Sequence, residues 1–367
     1  MRILYDGQIY NTQKKGGISR YFNNLINCLP KDYTPLLTTY ETDDVIYPEH
    51  PNLQKISYKR FRPARISQWF QKQYFQTSAA LGQPKLIHPT YYTTIAYSDL
   101  SACKYPIVLT VWDMIHELFA PKIDPNGQQA AEKRRAITAA QTILCISENT
   151  KKDLLEHYAI PEERVIVTYL ASEIDMRHTH GPEPVPSRPY YLYVGGRYRS
   201  YKNFDTLLNA FAKVTSLHPE IILCLVGPPL DQTEHQTIND LGLTQNIEYY
   251  GYADDQHLAK LYRCSLALVY PSLYEGFGIP PLEAMACGTP VIASNRSSLP
   301  EVIGDAGILF DPTSVPDLAD ILLHLSETPS KREELIFLGQ QRAKLFSWEK
   351  TTAQTLAVYR SVANLLD

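Results

Sequence analysis

Hydrophobic and polar positions along this chain fall into two alternating textures. Short runs of aliphatic, β-branched and aromatic residues are followed by longer stretches in which apolar residues recur every three or four positions. Runs of the first kind predict strands at 2–5, 86–88, 107–111, 142–146 and 165–168. A second series follows at 190–194, 221–226, 247–249, 266–270 and 291–293. Strands alternating with helices are the signature of parallel α/β layers. Between the two series lies HTHGPEPVPSRP, residues 178–189, dense in proline and without apolar periodicity, which predicts an interdomain linker. The expectation is two α/β halves joined near residue 180, each with its own sheet. Ligands in such sheets sit at the carboxyl ends of the strands, so the expected site is a cleft between the halves.

Some helix starts are chemically legible. Thr150 and Asp153 are spaced as a capping box with Thr150 as N-cap. A helix beginning at Asp205 puts Leu207, Leu208, Phe211 and Val214 on one face. The most informative stretch is YPSLYEGFGIPPLEAMACGTPVIAS, residues 270–294. A strand ends near Tyr270, a loop with Gly276 and Gly278 follows, and Pro280-Pro281 open a helix that stops at Gly288. Its N-terminus offers N–H groups and a positive dipole end to an anion, and the glycines permit close backbone approach. Glu275 in the loop and Glu283 in the helix can face one pocket. A carboxylate beside a phosphate is repelled, so these two suit hydroxyls, as on a sugar and a ribose. Upstream, YVGGRYRSYKNFDTLL places Gly195-Gly196 at a strand exit, then Arg197 and Lys202 before the next helix. Two cations there suit a diphosphate that gains charge in a transition state. The pattern is neither GxGxxG nor GxxxxGK[ST], which excludes dehydrogenase and P-loop assignments.

Composition narrows the picture further. The 367 residues are 44% hydrophobic and 20% charged, which is globular and long enough for two domains. Lys+Arg 35 against Asp+Glu 39 leaves −4, so no global basic field marks a nucleic-acid binder. The chain opens on a strand-like run rather than a leader peptide, and no uncharged apolar run approaches membrane-spanning length. The 6 cysteines are scattered without a CxxC, which reads as buried thiols in a reducing cytoplasm. One segment departs from this neutrality: residues 55–75, KISYKRFRPARISQWFQKQYF, carry 6 Lys/Arg and no acid among aromatics. It is either a solvated helix face or a dock for an anionic membrane surface, peripheral on the inner face of the plasma membrane.

Together the Arg197–Lys202 pair and the Glu275–Glu283 spacing resemble glycosyltransferase family 4, bacterial polysaccharide-biosynthesis enzymes of the GT-B fold, over nearly the whole chain. The resemblance implies an α/β, GT-B architecture of two Rossmann-like parallel-sheet domains facing across a cleft. Residues 1–175 would form an acceptor-binding domain completed by a C-terminal helix at 349–367, and 176–348 the nucleotide-sugar donor domain. By resemblance Gly196, Arg197 and Lys202 bind the donor diphosphate and Glu283 the ribose. Glu275 and the backbone at Gly276, Phe277 and Gly278 hold the hexose, with Leu282 alongside. Gly251 and Tyr252 match a loop near the nucleobase, and Gly16 and Gly17 match the N-terminal glycine pair beside phosphates and acceptor. The family's His-Asp pair is replaced here by Trp112-Asp113 in TVWDMIHE, with His116 three residues on. Either Asp113 or His116 takes the sugar contact, or Trp112 stacks on a sugar face; Asp113 is favoured. His88, at a strand end, is a further cleft-facing candidate.

The implied reaction is hexose transfer with retained anomeric configuration, from a nucleoside-diphosphate sugar to a saccharide or lipid-linked saccharide. UDP-hexose, such as UDP-glucose, is the favoured donor and GDP-mannose the second. No DxD, HExxH or CxxC occurs, so no metal and no cofactor beyond the co-substrate is expected. Rival readings are a GT-B sugar-nucleotide epimerase, which needs no acceptor, and a non-catalytic nucleotide-sugar binding protein, which turns over no donor.

Overall fold

The computed structural model describes residues 1–13, 16–41, 45–97, 99–178 and 181–364. Thr179 and His180 of the proline-rich stretch, and 365–367 of the C-terminal segment, lie outside the described residues. The chain forms two compact units, Met1–Leu170 with Trp348–Asp367, and Ala171–Ser347.

In the first unit the strands are β1 (Arg2–Asp6), β2 (Thr34–Tyr40), β3 (Gln54–Tyr58), β4 (Leu86–Ile87), β5 (Val108–Val111), β6 (Thr142–Cys145) and β7 (Val165–Val167). They pair in parallel in the orders β3-β2-β1-β4 and β5-β6-β7. A parallel bridge between Ile87 and Ile107 links the two ladders. The helix Trp348–Asn364 belongs to this unit: its Tyr359 hydroxyl lies 3.2 Å from the Tyr5 hydroxyl, and Thr351 donates to the Tyr169 carbonyl at 2.6 Å.

The second unit holds one sheet of β8 (Tyr190–Val194), β9 (Ile222–Val226), β10 (Ile247–Tyr249), β11 (Ala267–Tyr270), β12 (Val291–Ser294) and β13 (Ile308–Phe310). The order is β10-β9-β8-β11-β12-β13, all parallel. From β8 the chain winds outward through β9 and β10, then returns to the other side of β8 as β11. That reversal makes the carboxyl ends of β8 and β11 a topological switch point, where neighbouring loops diverge and leave a crevice. β8 and β9 are buried at every position, as strands covered on both faces require. The tyrosines of β8 are core residues whose hydroxyls find carbonyls: Tyr190 donates to Leu261 at 2.7 Å and Tyr191 to Leu322 at 2.5 Å. The helix Phe204–Leu217 buries Leu207, Leu208, Phe211 and Val214 against this sheet.

Three sequence expectations are corrected. The proline-rich stretch is not a free linker. Lys260 donates to the carbonyls of Gly181 and Glu183, and the Arg188 guanidinium to those of Pro219, Glu220 and Gln245, so the stretch lies along the second unit. The helix Glu148–His157 is capped by Ser147, not Thr150. Ser147 has the extended backbone an N-cap needs, and its hydroxyl accepts from the Thr150 amide at 2.9 Å. β2, β3 and β13 were not anticipated, and β3 occupies the start of the basic segment 55–75.

Candidate functional site

The richest group of site residues sits at the switch point of the second unit. β8 is followed by Gly195, whose φ of 129° is open to glycine, and β9 by Gly227 with φ 142°. The two exits touch: a Cβ on Gly227 would lie 2.5 Å from the Gly195 carbonyl oxygen. Gly227 also donates to the Gly251 carbonyl at 2.8 Å, so the loops bearing Gly196, Pro228 and Gly251 abut. Next to Gly251, the Tyr252 ring is 81% exposed.

Arg197 leaves this glycine turn and folds inward until its side chain is 1% exposed. Nε donates to Glu234 Oε1 at 2.8 Å and Nη2 to the Pro228 carbonyl at 2.5 Å. Nη1 has no partner among the described residues although it is buried. An unmet guanidinium N–H pair inside a protein is costly, and a site awaiting an anion explains it.

Lys202 ends a short 3-10 turn, Ser200–Lys202, and donates to Glu275 Oε1 at 2.7 Å. Burial pulls its ammonium down, but the Glu275 carboxylate beside it outweighs burial and the net pKa is raised, so Lys202 stays cationic. The turn is pinned to the β11 exit. Asn203, in the left-handed region at φ 56°, donates to the carbonyls of Pro271 and Pro312 at 3.1 and 2.8 Å. Thus Lys202 from the β8 exit and Glu275 from the β11 exit meet.

The loop from Glu275 to Gly278 is fixed from below. Ser298 donates to the carbonyls of Glu275 and Phe277 at 2.9 and 2.7 Å, and Ser297 donates to Glu275 at 2.6 Å. Gly278, with φ 114°, precedes the helix Ile279–Ala286, which has proline in its first turn. Phe277 turns its ring into the unit against Phe346, 5.7 Å away, so only its backbone can serve a ligand. Leu282, expected beside the donor, is 1% exposed and its amide bonds back to Gly278, so it is a packing residue. Glu283 is buried and its Oε2 accepts from the Tyr262 hydroxyl at 3.0 Å. Burial, then the Glu283 charge, push that phenol well up, so Tyr262 keeps its proton and orients the carboxylate.

In the first unit Gly16 and Gly17 open the helix Gly17–Asn27, with the Ser19 hydroxyl accepting from the Gly16 amide at 3.0 Å. Among the described residues, a Cβ on Gly17 would meet nothing within 4 Å. Two candidates are corrected. His88 is fully buried: Nδ1 lies 2.6 Å from the Tyr359 hydroxyl and Nε2 2.8 Å from Thr110 Oγ1, and burial pushes its pKa down to about 3. It is a neutral core residue. Trp112 packs edge-on to Tyr21 at 4.9 Å and Phe22 at 6.1 Å and is nearly buried, so its faces are not offered to a sugar.

Asp113 and His116 belong to a charged cluster that sequence reasoning missed. Fully buried Lys133 donates to the Asp113 carbonyl at 2.9 Å and to Glu117 Oε2 at 2.8 Å, and lies 3.7 Å from Asp113 Oδ1. Glu117 also accepts from Tyr158 at 2.6 Å. Burial, and then Lys133, hold the His116 pKa down, and its Nδ1 has no partner among the described residues. Asp113 keeps its carboxylate 26% exposed, so it alone of this group reaches solvent appreciably. Glu234 was likewise missed, although Asp231-x-x-Glu234 is a capping-box spacing before a helix.

In the basic segment, the helix Ala64–Gly82 buries Ser67, Gln71, Phe75 and Ala79. Ile66, Trp69 (61% exposed), Phe70 and Tyr74 face outward. Two of the four buried positions, Ser67 and Gln71, are polar, while three of the four aromatics, Trp69, Phe70 and Tyr74, face outward, which an ordinary surface helix avoids.

Against known families, residues 175–342 match the model described as Glycosyl transferases group 1, and residues 15–175 match Glycosyltransferase Family 4. The O-antigen chain mannosyltransferase B of Escherichia coli is 34% identical over 236 residues, 61% of this chain and 62% of that protein. The MMP alpha-(1->4)-mannosyltransferase of Mycolicibacterium hassiacum is 31% identical over 232 residues, 62% of this chain and 56% of that protein. The alignments therefore span under two thirds of those relatives' own lengths. Among solved structures, sucrose-phosphate synthase from Thermosynechococcus elongatus superposes with TM-score 0.77 at 21% identity, covering 98% of each chain. Anabaena HepE in complex with UDP and glucose gives 0.72 at 19%, covering 98% of this chain and 100% of that one.

Proposed function

We infer that this chain, which belongs to glycosyltransferase family 4 and has the GT-B fold, transfers a hexose from a nucleoside-diphosphate sugar to a growing saccharide in bacterial polysaccharide biosynthesis. The observation that carries this reading is the paired cation site at the switch point: Arg197 with an unmet, buried Nη1, and Lys202 held against Glu275. Such a site exchanges a carboxylate for a phosphate when the donor arrives. The second unit takes the donor, with Glu283 on the ribose, Glu275 and the 276–278 backbone on the hexose, and Tyr252 beside the base. The first unit takes the acceptor, with Asp113 as its sugar-contacting residue and the Gly16–Gly17 turn beside it.

In the reaction the bond from the sugar's anomeric carbon to the diphosphate oxygen breaks and a bond to the acceptor hydroxyl oxygen forms on the same face. The acceptor proton passes to the departing phosphate. Arg197 and Lys202 stabilise the charge that develops there, so the chemistry needs no metal. Turnover that persists in EDTA supports this; strict loss restored by Mn²⁺ contradicts it.

The donor we favour is a nucleoside-diphosphate mannose, because the two relatives described above are named mannosyltransferases. The UDP-glucose expected from sequence remains the second reading, supported by the fold's likeness to HepE in complex with UDP and glucose. A thermal-shift panel with GDP-mannose, UDP-glucose and other nucleotide sugars separates them, since a ligand at 100 times its Kd stabilises by about 2.7 kcal/mol.

No helix among the described residues is long and apolar enough to cross a membrane. We place the protein in the cytoplasm, where its unpaired, buried Cys145, Cys224 and Cys287 would stay reduced, and on an anionic membrane surface near a lipid-linked acceptor. The support is the outward Ile66, Trp69, Phe70 and Tyr74 within the cationic segment.

A further inference from the structure

We propose that Glu234 is a positioning residue for the donor diphosphate, acting through Arg197; the proposal rests on Arg197 being a phosphate ligand. A guanidinium offers a side edge at Nε and an end at Nη1 and Nη2, and which of these a phosphate meets depends on what the protein has already taken. Here Glu234 takes Nε through Oε1 at 2.8 Å, and the Pro228 carbonyl takes Nη2 at 2.5 Å. What is left is the second N–H of Nη2 and the whole of Nη1, which is buried and without a partner among the described residues.

Glu234 is itself immobilised. Its Oε2 accepts from the Asp231 amide at 2.8 Å, and its own amide donates to Asp231 Oδ1 at 2.8 Å, a closed capping box at the start of the helix Gln232–Asp240. One carboxylate therefore bridges a helix end and the guanidinium, with each oxygen committed. A cap needs only Oε2; the second bond goes to a residue at the exit of a different strand, 37 positions earlier in the chain. The Arg197 head is thus held by two protein acceptors with its Nη1 pair unspent, and exposing that pair is all the donor requires of it.

The test is calorimetric titration of the full chain with UDP, UMP, GDP and GMP, reading the preference for a diphosphate over its own monophosphate. Wild type prefers one diphosphate. Glu234→Ala lowers that preference about tenfold, the worth of one hydrogen bond to a charged group. Arg197→Ala lowers it at least as far, and adding Glu234→Ala to Arg197→Ala lowers it no further. Glu234→Gln, which keeps one acceptor oxygen for Nε but gives up the bond from the Asp231 amide, restores part of the preference. Asp231→Ala removes the side-chain half of the cap but keeps the backbone amide that holds Glu234 Oε2, so it is the structural control: it lowers Tm and leaves the preference intact. Glu234→Ala with an unchanged preference, while Arg197→Ala loses it, overturns the role of Glu234 alone. An equal loss from Glu234→Ala in the Arg197→Ala background, or a Gln variant no better than Ala, does the same. If wild type binds neither diphosphate, or Arg197→Ala keeps the full preference, the donor reading itself fails and the proposal falls with it.

Discussion

Replacing Lys133 by methionine is the sharpest structural perturbation available in the first unit. Its ammonium is fully buried, and its attraction to Glu117 at 2.8 Å is worth about 6 kcal/mol gross at an effective dielectric constant of about 20. Most of that is offset by the cost of taking two charges out of water, so the pair itself contributes little net. Breaking it is a different matter. Methionine fills the space of the lysine stem but leaves the Glu117 carboxylate, 8% exposed, with only the Tyr158 hydroxyl, and strips the Asp113 carbonyl of its donor. An uncompensated buried charge costs roughly 3–5 kcal/mol. The upper part of that range applies to Glu117, because water reaches it poorly, whereas Asp113 is rescued by its exposure. Lys133→Met with Glu117→Gln removes the stranded charge and keeps an acceptor for Tyr158, so the double variant recovers to within about 2 kcal/mol of wild type. The assay is equilibrium denaturation followed by tryptophan fluorescence. All 3 tryptophans, Trp69, Trp112 and Trp348, lie in the first unit, so the signal reports that unit alone. A loss below about 1 kcal/mol in Lys133→Met, the size of an exposed ion pair, would refute the reasoning.

Other outcomes follow from the same structure. Arg197→Ala and Lys202→Ala each cost roughly 3 kcal/mol of transition-state stabilisation, read as a fall in kcat/KM for the donor. His88, with its folded pKa near 3 against 6.5 when unfolded, makes stability fall by about 1.4 kcal/mol per pH unit as pH drops below 6.5. Asp6 works in the opposite direction: burial raises its pKa to about 7, so the folded state gains relative stability as pH falls from 7 towards 4. The two slopes oppose each other in wild type, so denaturation at pH 7 and pH 5 should show His88→Gln more acid-tolerant and Asp6→Asn less so. Trp69→Ala combined with Phe70→Ala should abolish flotation with anionic liposomes at low salt while leaving Tm unchanged; undiminished flotation removes that helix from the membrane contact.

Much of the fold was readable because its strands are buried and punctuated. Residues 190–194 and 247–249 coincide with β8 and β10, and most others differ by a residue. β3 escaped because QKISY is an edge strand whose first two residues, Gln54 and Lys55, are exposed and none of whose residues is fully buried. β13 escaped because it is short and only its last residue is buried. Glycine and proline likewise mark the 275–288 turn and helix, so that part of the site was legible. Partners distant in sequence were not. The depth of His88 depends on Tyr359, 271 positions away, and Trp112 reads as a sugar platform until Tyr21 and Phe22 are seen against it. The resting pairs Arg197–Glu234 and Lys202–Glu275, 37 and 73 positions apart, also lie beyond any local pattern.

The central claim is that a nucleoside-diphosphate sugar is consumed at the Arg197–Lys202 site. The direct measurement is nucleoside-diphosphate release from GDP-mannose and UDP-glucose, with and without a saccharide acceptor, by wild type and Lys202→Ala at matched folded concentrations. The account predicts release from one donor, increased by acceptor and reduced about a hundredfold or more in the variant. Release from neither donor, or release that Lys202→Ala leaves unchanged, would contradict it.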